Sequence, residues 1–143
     1  MSGVGSTEPP ESGGAGSAGA GAGMRIRWRD LDPYGHVNHA VYVTYLEELR
    51  DDWLKERLGL DAVWDYVVAR IALDYRRELR AEDGPLRAEF AVERLGTTSV
   101  TLRERLLTAA GAEAAGAETV LVAIDRASGR PRPLTDAERA ALG

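Results

Sequence analysis

The chain has no cysteine, only two histidines, and no apolar run near the length of a membrane span. Without thiols there is neither a disulfide framework nor a thiolate metal site, and the absence suits a reducing compartment, so the cytoplasm is the expected location. A spanning helix needs roughly 20 consecutive apolar residues, and none is expected here. Excess positive charge is missing too. The formal net charge of −5 argues against a protein that grips a nucleic-acid backbone irrespective of sequence. Local arginines, Arg76 with Arg77 and Arg103 with Arg105, still leave room for a discrete anionic ligand.

Residues 1–23 hold no large apolar side chain beyond Met1 and Val4. Such a Gly-, Ala- and Ser-rich stretch cannot bury enough surface to offset its ordering entropy, and it lacks the basic and apolar regions of a secretory signal. It is expected to be a disordered tail. Residues 24–143 are then one domain, because a chain of 143 residues supports one core and is short for two.

Beyond the tail the pattern is informative. Residues 24–30 set Arg25, Arg27 and Arg29 against Ile26 and Trp28, the period of a half-buried strand. An Asp-Pro turn with Gly35 follows, and Asn38 stands where a helix cap belongs. Tyr42, Tyr45, Leu46, Leu49, Trp53 and Leu58 then fall near helical spacing. Glu47, Glu48, Arg50, Asp51, Asp52, Lys55 and Glu56 supply the polar face, and Gly59 is the stop. Residues 60–65 read as a short connection or a helical turn.

From Tyr66 the period becomes two. Ile71, Leu73 and Tyr75 define one strand; Leu86, Ala88, Phe90 and Val92 a second; Val100, Leu102 and Leu106 a third; residues 119–124 a fourth. Asp83-Gly84-Pro85 and Gly96-Thr97-Thr98 are turns, and residues 109–117 read as a loop. Thr135 with Glu138 is a capping-box pattern opening a short helix over 134–142. Short turns between strands force antiparallel neighbours, and one long apolar helix needs a sheet to cover it. The expected fold is α+β, an antiparallel sheet of about five strands wrapped around one long central helix. Such a sheet leaves an edge, and pairing of two copies along it would hide that edge.

The segment before the helix concentrates the chemistry. Asp30, Asp32, His36 and His39 crowd a helix N-terminus, whose exposed N–H groups and positive dipole end can polarise a carbonyl oxygen. From spacing alone Asp32 fits a turn residue capping its own loop as readily as a catalytic carboxylate. Asn38 is most simply the helix cap, and Glu47 and Glu48 a solvated helix face. The two histidines lack a third ligand at usable spacing, so no metal site is expected.

The run Arg29-Asp30-Leu31-Asp32-Pro33-Tyr34-Gly35-His36-Val37-Asn38-His39, with Tyr42, Tyr45, Leu46, Glu47, Glu48 and Arg50 after it, resembles the opening of a known family. These are the hotdog-fold acyl-CoA thioesterases of the 4-hydroxybenzoyl-CoA thioesterase type, including the YbgC-like and FadM-like branches. The resemblance implies a hotdog fold and hydrolysis of an acyl-CoA thioester to a carboxylic acid and CoA, with no cofactor. It puts the catalytic carboxylate, base or nucleophile, on Asp32. It puts on His39 the helix-start residue whose backbone N–H faces the thioester oxygen, and in the YbgC-like branch a histidine there is itself regarded as functional. Beside the resemblance, Asn38 is a candidate for orienting water, and Tyr34, Gly35, Tyr42 and Tyr45 are candidate substrate-binding residues, with Tyr42 and Tyr45 more simply read as core. A tyrosine that some members carry shortly before the aspartate is replaced here by Trp28 or its neighbours. An acyl-carrier-protein thioester is the alternative substrate, a non-catalytic acyl-thioester binder the rival from another class, and a homodimer or homotetramer the implied assembly.

Overall fold

The computed structural model describes residues 16–18, 23–59 and 65–143. Its longest element is α1, His39–Leu58. Asn38 starts it as expected: its Oδ1 accepts the Ala40 N–H at 2.9 Å, which satisfies one of the donors a first turn leaves open. Gly59 ends it in the left-handed conformation, φ 67°, where a side chain would be strained. Tyr42, Tyr45, Leu46, Leu49, Trp53 and Leu54 recur at helical spacing and are all buried.

Five strands form one antiparallel sheet: β1 (Gly16–Ala18), β2 (Tyr66–Tyr75), β3 (Arg87–Leu95), β4 (Ser99–Leu107) and β5 (Glu113–Ala123), in the order β1-β3-β4-β5-β2. Period-two alternation sends Phe90 of β3, Leu102 and Leu106 of β4, and Ala115 and Leu121 of β5 to the helix side, where they are buried. Trp53 of α1 meets the Phe90 ring there, centroids 5.3 Å apart. Truncating either aromatic to alanine costs about 3–5 kcal/mol by loss of packing. Residues 136–142 close the chain as α2 (Asp136–Leu142), opened by the Thr135–Glu138 capping box that its sequence predicts. No described helix is long and apolar enough to cross a membrane.

Three local expectations are corrected. Residues 24–30 are not a strand: Met24 makes a single bridge to Leu86, and Trp28–Asp30 is a 3-10 turn. The Asp30 carboxylate accepts the Arg27 N–H at 3.0 Å, a local bond that competes with a ladder, and Trp28 ends up 88% exposed. The strand that pairs with β3 on that side is residues 16–18, inside the stretch expected to be disordered. Their neutral composition carries no apolar signal because the pairing is through backbone. The rest of that tail, and residues 60–64 of the expected connection, lie outside the described residues.

Secondly, β5 begins at Glu113, within the expected loop. Ala114, Ala115 and Ala117 are weak strand formers, yet β5 lies between β4 and β2 and is paired on both sides. Context overrides propensity. Thirdly, Arg50 is not on the polar face but 2% exposed. Its Nε and Nη2 donate to the two carboxylate oxygens of buried Glu104 on β4, at 2.6 and 3.1 Å. A forked, fully paired contact of this kind is what allows two charges in an apolar interior.

The far edge of the sheet is β2, which has no described partner beyond β5. Val67, Val68 and Tyr75 on it remain 44%, 43% and 49% exposed.

Candidate active site

The loop between the 3-10 turn and α1 is fastened at both ends. Leu31 and Val37 form an antiparallel bridge, and the Asn38 N–H donates to the Asp30 carbonyl at 2.9 Å. Asp30 is buried: its Oδ2 accepts the Tyr45 hydroxyl at 2.6 Å as well as the Arg27 N–H. Burial pushes the Asp30 carboxyl up, but the hydrogen bonds from Tyr45 and Arg27 outweigh it and leave the group below its ordinary value. The Tyr45 hydroxyl is raised by burial and then by the same bond.

Asp32 sits two residues on, in a tighter turn. Its N–H donates to the His36 carbonyl at 2.7 Å and its carbonyl accepts the Gly35 N–H at 2.9 Å. Gly35 takes φ 81°, which the turn needs and glycine tolerates. The carboxylate is used asymmetrically. Oδ1 accepts the Tyr34 and His36 N–H groups at 2.9 and 3.0 Å, while Oδ2 accepts nothing from any described residue.

That free oxygen belongs to a residue lining a cleft of about 410 Å³ at the start of α1. His36, Val37, His39 and Tyr42 line it from the loop and helix; Tyr75, Arg76, Arg77 and Glu78 close it from the end of β2. The helix start is left partly open. Ala40 N–H is taken by the Asn38 side chain and Val41 N–H by the Asn38 carbonyl, while the His39 N–H has no acceptor among the described residues. The His39 carbonyl instead accepts the Tyr75 hydroxyl at 2.9 Å, and the two rings meet edge-on at 6.2 Å. The Tyr42 ring packs edge-on against Tyr75 at 5.0 Å, and its hydroxyl donates to the Arg77 carbonyl at 2.9 Å. His36 Nε2 lies 3.3 Å from Glu78 Oε1.

Of the residues singled out in the sequence, Asp32, His39 and Tyr42 are therefore brought together. Asn38 acts as the cap beside them. Tyr45 is not on the cleft: it is fully buried, with its hydroxyl committed to Asp30. Tyr34, 81% exposed, and Gly35 also lie outside the lining. Sequence reasoning missed Tyr75, whose only signal was sharing the parity of Ile71 and Leu73 at the end of a strand, and Glu78, which carried none; Arg77 was marked only as half of an arginine pair that leaves room for an anionic ligand. No group of three or more carboxylate or imidazole side chains suited to a metal ion occurs among the described residues.

A sheet folded about one long helix, with an aspartate-bearing loop at the helix start, is a hotdog fold of the thioester-hydrolase class. More particularly, the chain belongs to the thioesterase-like superfamily, whose family model matches residues 26–142. It is 26% identical over 117 residues to the acyl-CoA thioester hydrolase YbgC of Escherichia coli O6:H1, covering 78% of this chain and 86% of that one. Among solved structures it is 35% identical to a Thermus thermophilus thioesterase complexed with coenzyme A and Zn, with TM-score 0.69 and coverage of 83% and 87%. The PA2801 protein of Pseudomonas aeruginosa is 31% identical, with TM-score 0.73 and coverage of 91% and 98%.

Proposed function

We propose that the protein hydrolyses acyl-CoA thioesters with Asp32 as the reacting carboxylate and the His39 backbone N–H as the oxyanion donor. The observation that carries this reading is that two residues lining one cleft each keep an unspent group among the described residues: an Asp32 oxygen without a donor and the His39 amide without an acceptor. The two amides on the other Asp32 oxygen hold the side chain in place. In the base route Asp32 takes a proton from water as the water oxygen bonds to the carbonyl carbon. In the nucleophile route its oxygen forms a mixed anhydride that water then opens. Either way the C–S bond breaks and the thiolate of CoA leaves and is protonated. The developing oxyanion meets the His39 N–H, an interaction of about 3–4 kcal/mol for a well-placed donor. Tyr42 and Tyr75 form the aromatic wall next to it.

Asp32→Asn tests the assignment. Asparagine keeps an oxygen for the Tyr34 and His36 amides but loses the charge, so thiol release from acyl-CoA should fall about a hundredfold or more with the melting temperature nearly unchanged. An Asn variant of normal activity would remove Asp32 from the chemistry. Rates on acyl-carrier-protein thioesters, measured beside those on CoA thioesters, decide the carrier.

We further propose that two copies pair through β2. Its unpaired edge and its half-exposed Val67, Val68 and Tyr75 support this, since a long apolar edge is a template for another strand. A homotetramer built from such dimers is the larger alternative. Analytical ultracentrifugation at micromolar concentration should give at least a dimer; a monomer there counts against the pairing.

A further inference from the structure

Two arginines line the cleft that holds Asp32 and His39, and they differ. Arg76 is engaged, with Glu113 at 3.4 Å and Asp74 at 3.8 Å. Arg77 is exposed and has no carboxylate partner among the described residues. On the sheet Arg70 is spent on Glu118 at 2.7 Å and Arg105 on Glu89 and Glu113 at 2.6 and 2.9 Å. Arg87 and Arg94 of β3 have no ion pair among the described residues but do not line this cleft.

Arg77 is nevertheless fixed at its backbone. Its N–H shares the Ala114 carbonyl with that of Arg76, at 3.2 and 2.8 Å, and its carbonyl accepts the Tyr42 hydroxyl. Tyr42 stands in the first turn of α1, so the position of Arg77 is tied to the helix start. A second groove, of about 390 Å³, begins at Arg77 and continues past Glu78 and Arg80 to Glu82 and Asp83. Arg77 thus marks the border between the cleft and a path leading away from it. The carboxylates along that path are mostly occupied. Glu78 lies within 3.3 Å of His36 and 3.6 Å of Arg80, and Asp83 accepts the Arg80 N–H at 2.8 Å. Glu82 has no recorded partner among the described residues.

In a chain of net charge −5, a backbone-anchored and uncommitted guanidinium at the rim of a cleft is placed to meet an anion arriving from solvent. We infer that Arg77 binds a phosphate of the thiol-bearing half of the substrate, while the acyl carbonyl lies at Asp32 and His39. The inference rests on the thioester reading above and adds the contact that tells a phosphorylated thiol carrier from a bare thiol. Rim exposure favours phosphate over an acyl-chain group, because a strongly hydrated polyanion keeps part of its water there and an apolar chain does not.

The test uses the full chain as wild type, Arg77→Ala, Arg77→Lys and, as a distant exposed control, Arg94→Ala. Calorimetric titration with CoA, 4′-phosphopantetheine and pantetheine is read beside the hydrolysis of an acyl-CoA and of the matching acyl-N-acetylcysteamine thioester, which has no phosphate. Arg77→Ala should weaken CoA binding and raise KM for acyl-CoA about tenfold, with kcat within about twofold, and leave pantetheine and the truncated thioester unaffected. Arg77→Lys should recover most of the loss, and Arg94→Ala should match wild type. A parallel loss on 4′-phosphopantetheine assigns the contact to the phosphate next to the pantetheine arm; a loss confined to CoA assigns it to the nucleotide. Both outcomes uphold the inference. Equal losses with and without phosphate, no loss at all, or a wild type that fails to bind CoA would overturn it. Wild-type binding of CoA without thiol release from either thioester would instead sink the hydrolytic reading and leave Arg77 standing.

Discussion

Asp30 and Asp32 lie in one short loop and have opposite surroundings. Asp30 is 8% exposed, and its carboxylate is claimed by the Tyr45 hydroxyl and by Arg27. Asp32 is half-buried on the cleft, with one oxygen held by two amides and the other without a donor among the described residues. The difference teaches how a small loop divides its labour. Each carboxylate engages one oxygen, Oδ2 in Asp30 and Oδ1 in Asp32. The Asp30 bonds, however, tie the 3-10 turn to buried Tyr45 of α1 and so fix geometry, while Asp32 lines the cleft and is proposed to use its other oxygen for chemistry. The same substitution at both positions should therefore break different things.

The largest effect is expected at Asp32, where the Asn variant loses about a hundredfold or more in kcat and keeps its stability. At Asp30 the order reverses. Asp30→Asn weakens the bonds to Tyr45 and Arg27 in a buried setting, which should cost about 2–3 kcal/mol and lower the melting temperature by roughly 5–10 °C. Its kcat should fall less than about tenfold. Chemical denaturation read beside thiol release separates the two columns. If Asp30→Asn were as inactive as Asp32→Asn while equally stable, the division of labour would be wrong.

Tyr45→Phe is smaller again. It removes one donor to Asp30 but leaves the two Arg27 contacts, at 3.0 and 3.4 Å, so about 1 kcal/mol is expected. Because both residues belong to one hydrogen bond, the Asp30→Asn, Tyr45→Phe double variant should cost less than the sum of the singles. Additive losses would mean the 2.6 Å contact carries no coupling.

The contrast also marks what a sequence can disclose. α1 was legible because its signals are local: the Asn38 cap, the Tyr42-to-Trp53 spacing and the Gly59 stop all act within a few residues of themselves. Strands β2, β3 and β4 were legible from their period of two, and the crowding of Asp32 and His39 beside the helix start from the Asp-Pro turn and the Asn38 cap. What failed was non-local or ambiguous in parity. Ile26 and Trp28 alternate like a strand, and the segment is a turn in which Asp30 bonds the Arg27 N–H locally and the Tyr45 hydroxyl, fifteen residues away, from α1. Arg50 looked solvated because Glu104, which neutralises it, lies 54 residues on. Asp30 and Asp32 stand two residues apart beside the same helix start, so the pattern alone could not rank them. Arg77 was visible only as half of an arginine pair, with nothing in the spacing to say that Arg76 is engaged and Arg77 is not.

The smallest effect is a pH dependence that belongs to Asp30. Burial opposes its charged form, yet the Tyr45 hydroxyl and the Arg27 contacts hold the folded carboxyl below its ordinary 3.8. A depressed carboxyl contributes stability that is fully present above the unfolded value and disappears as pH falls through the folded one. The wild type should thus lose stability in acid from about pH 4 downward, and part of that loss should vanish in Asp30→Asn. Glu138 loses stability in the same direction, since the Arg132 guanidinium holds it near 2 against an ordinary 4.5, so the slope of the wild type alone assigns nothing. The informative quantity is the stability gap between wild type and Asp30→Asn, measured by urea denaturation at intervals from pH 6 to pH 3. It should be flat above about pH 5 and narrow below about pH 4. A gap that stays constant to pH 3 would mean that Asp30 contributes through shape rather than charge.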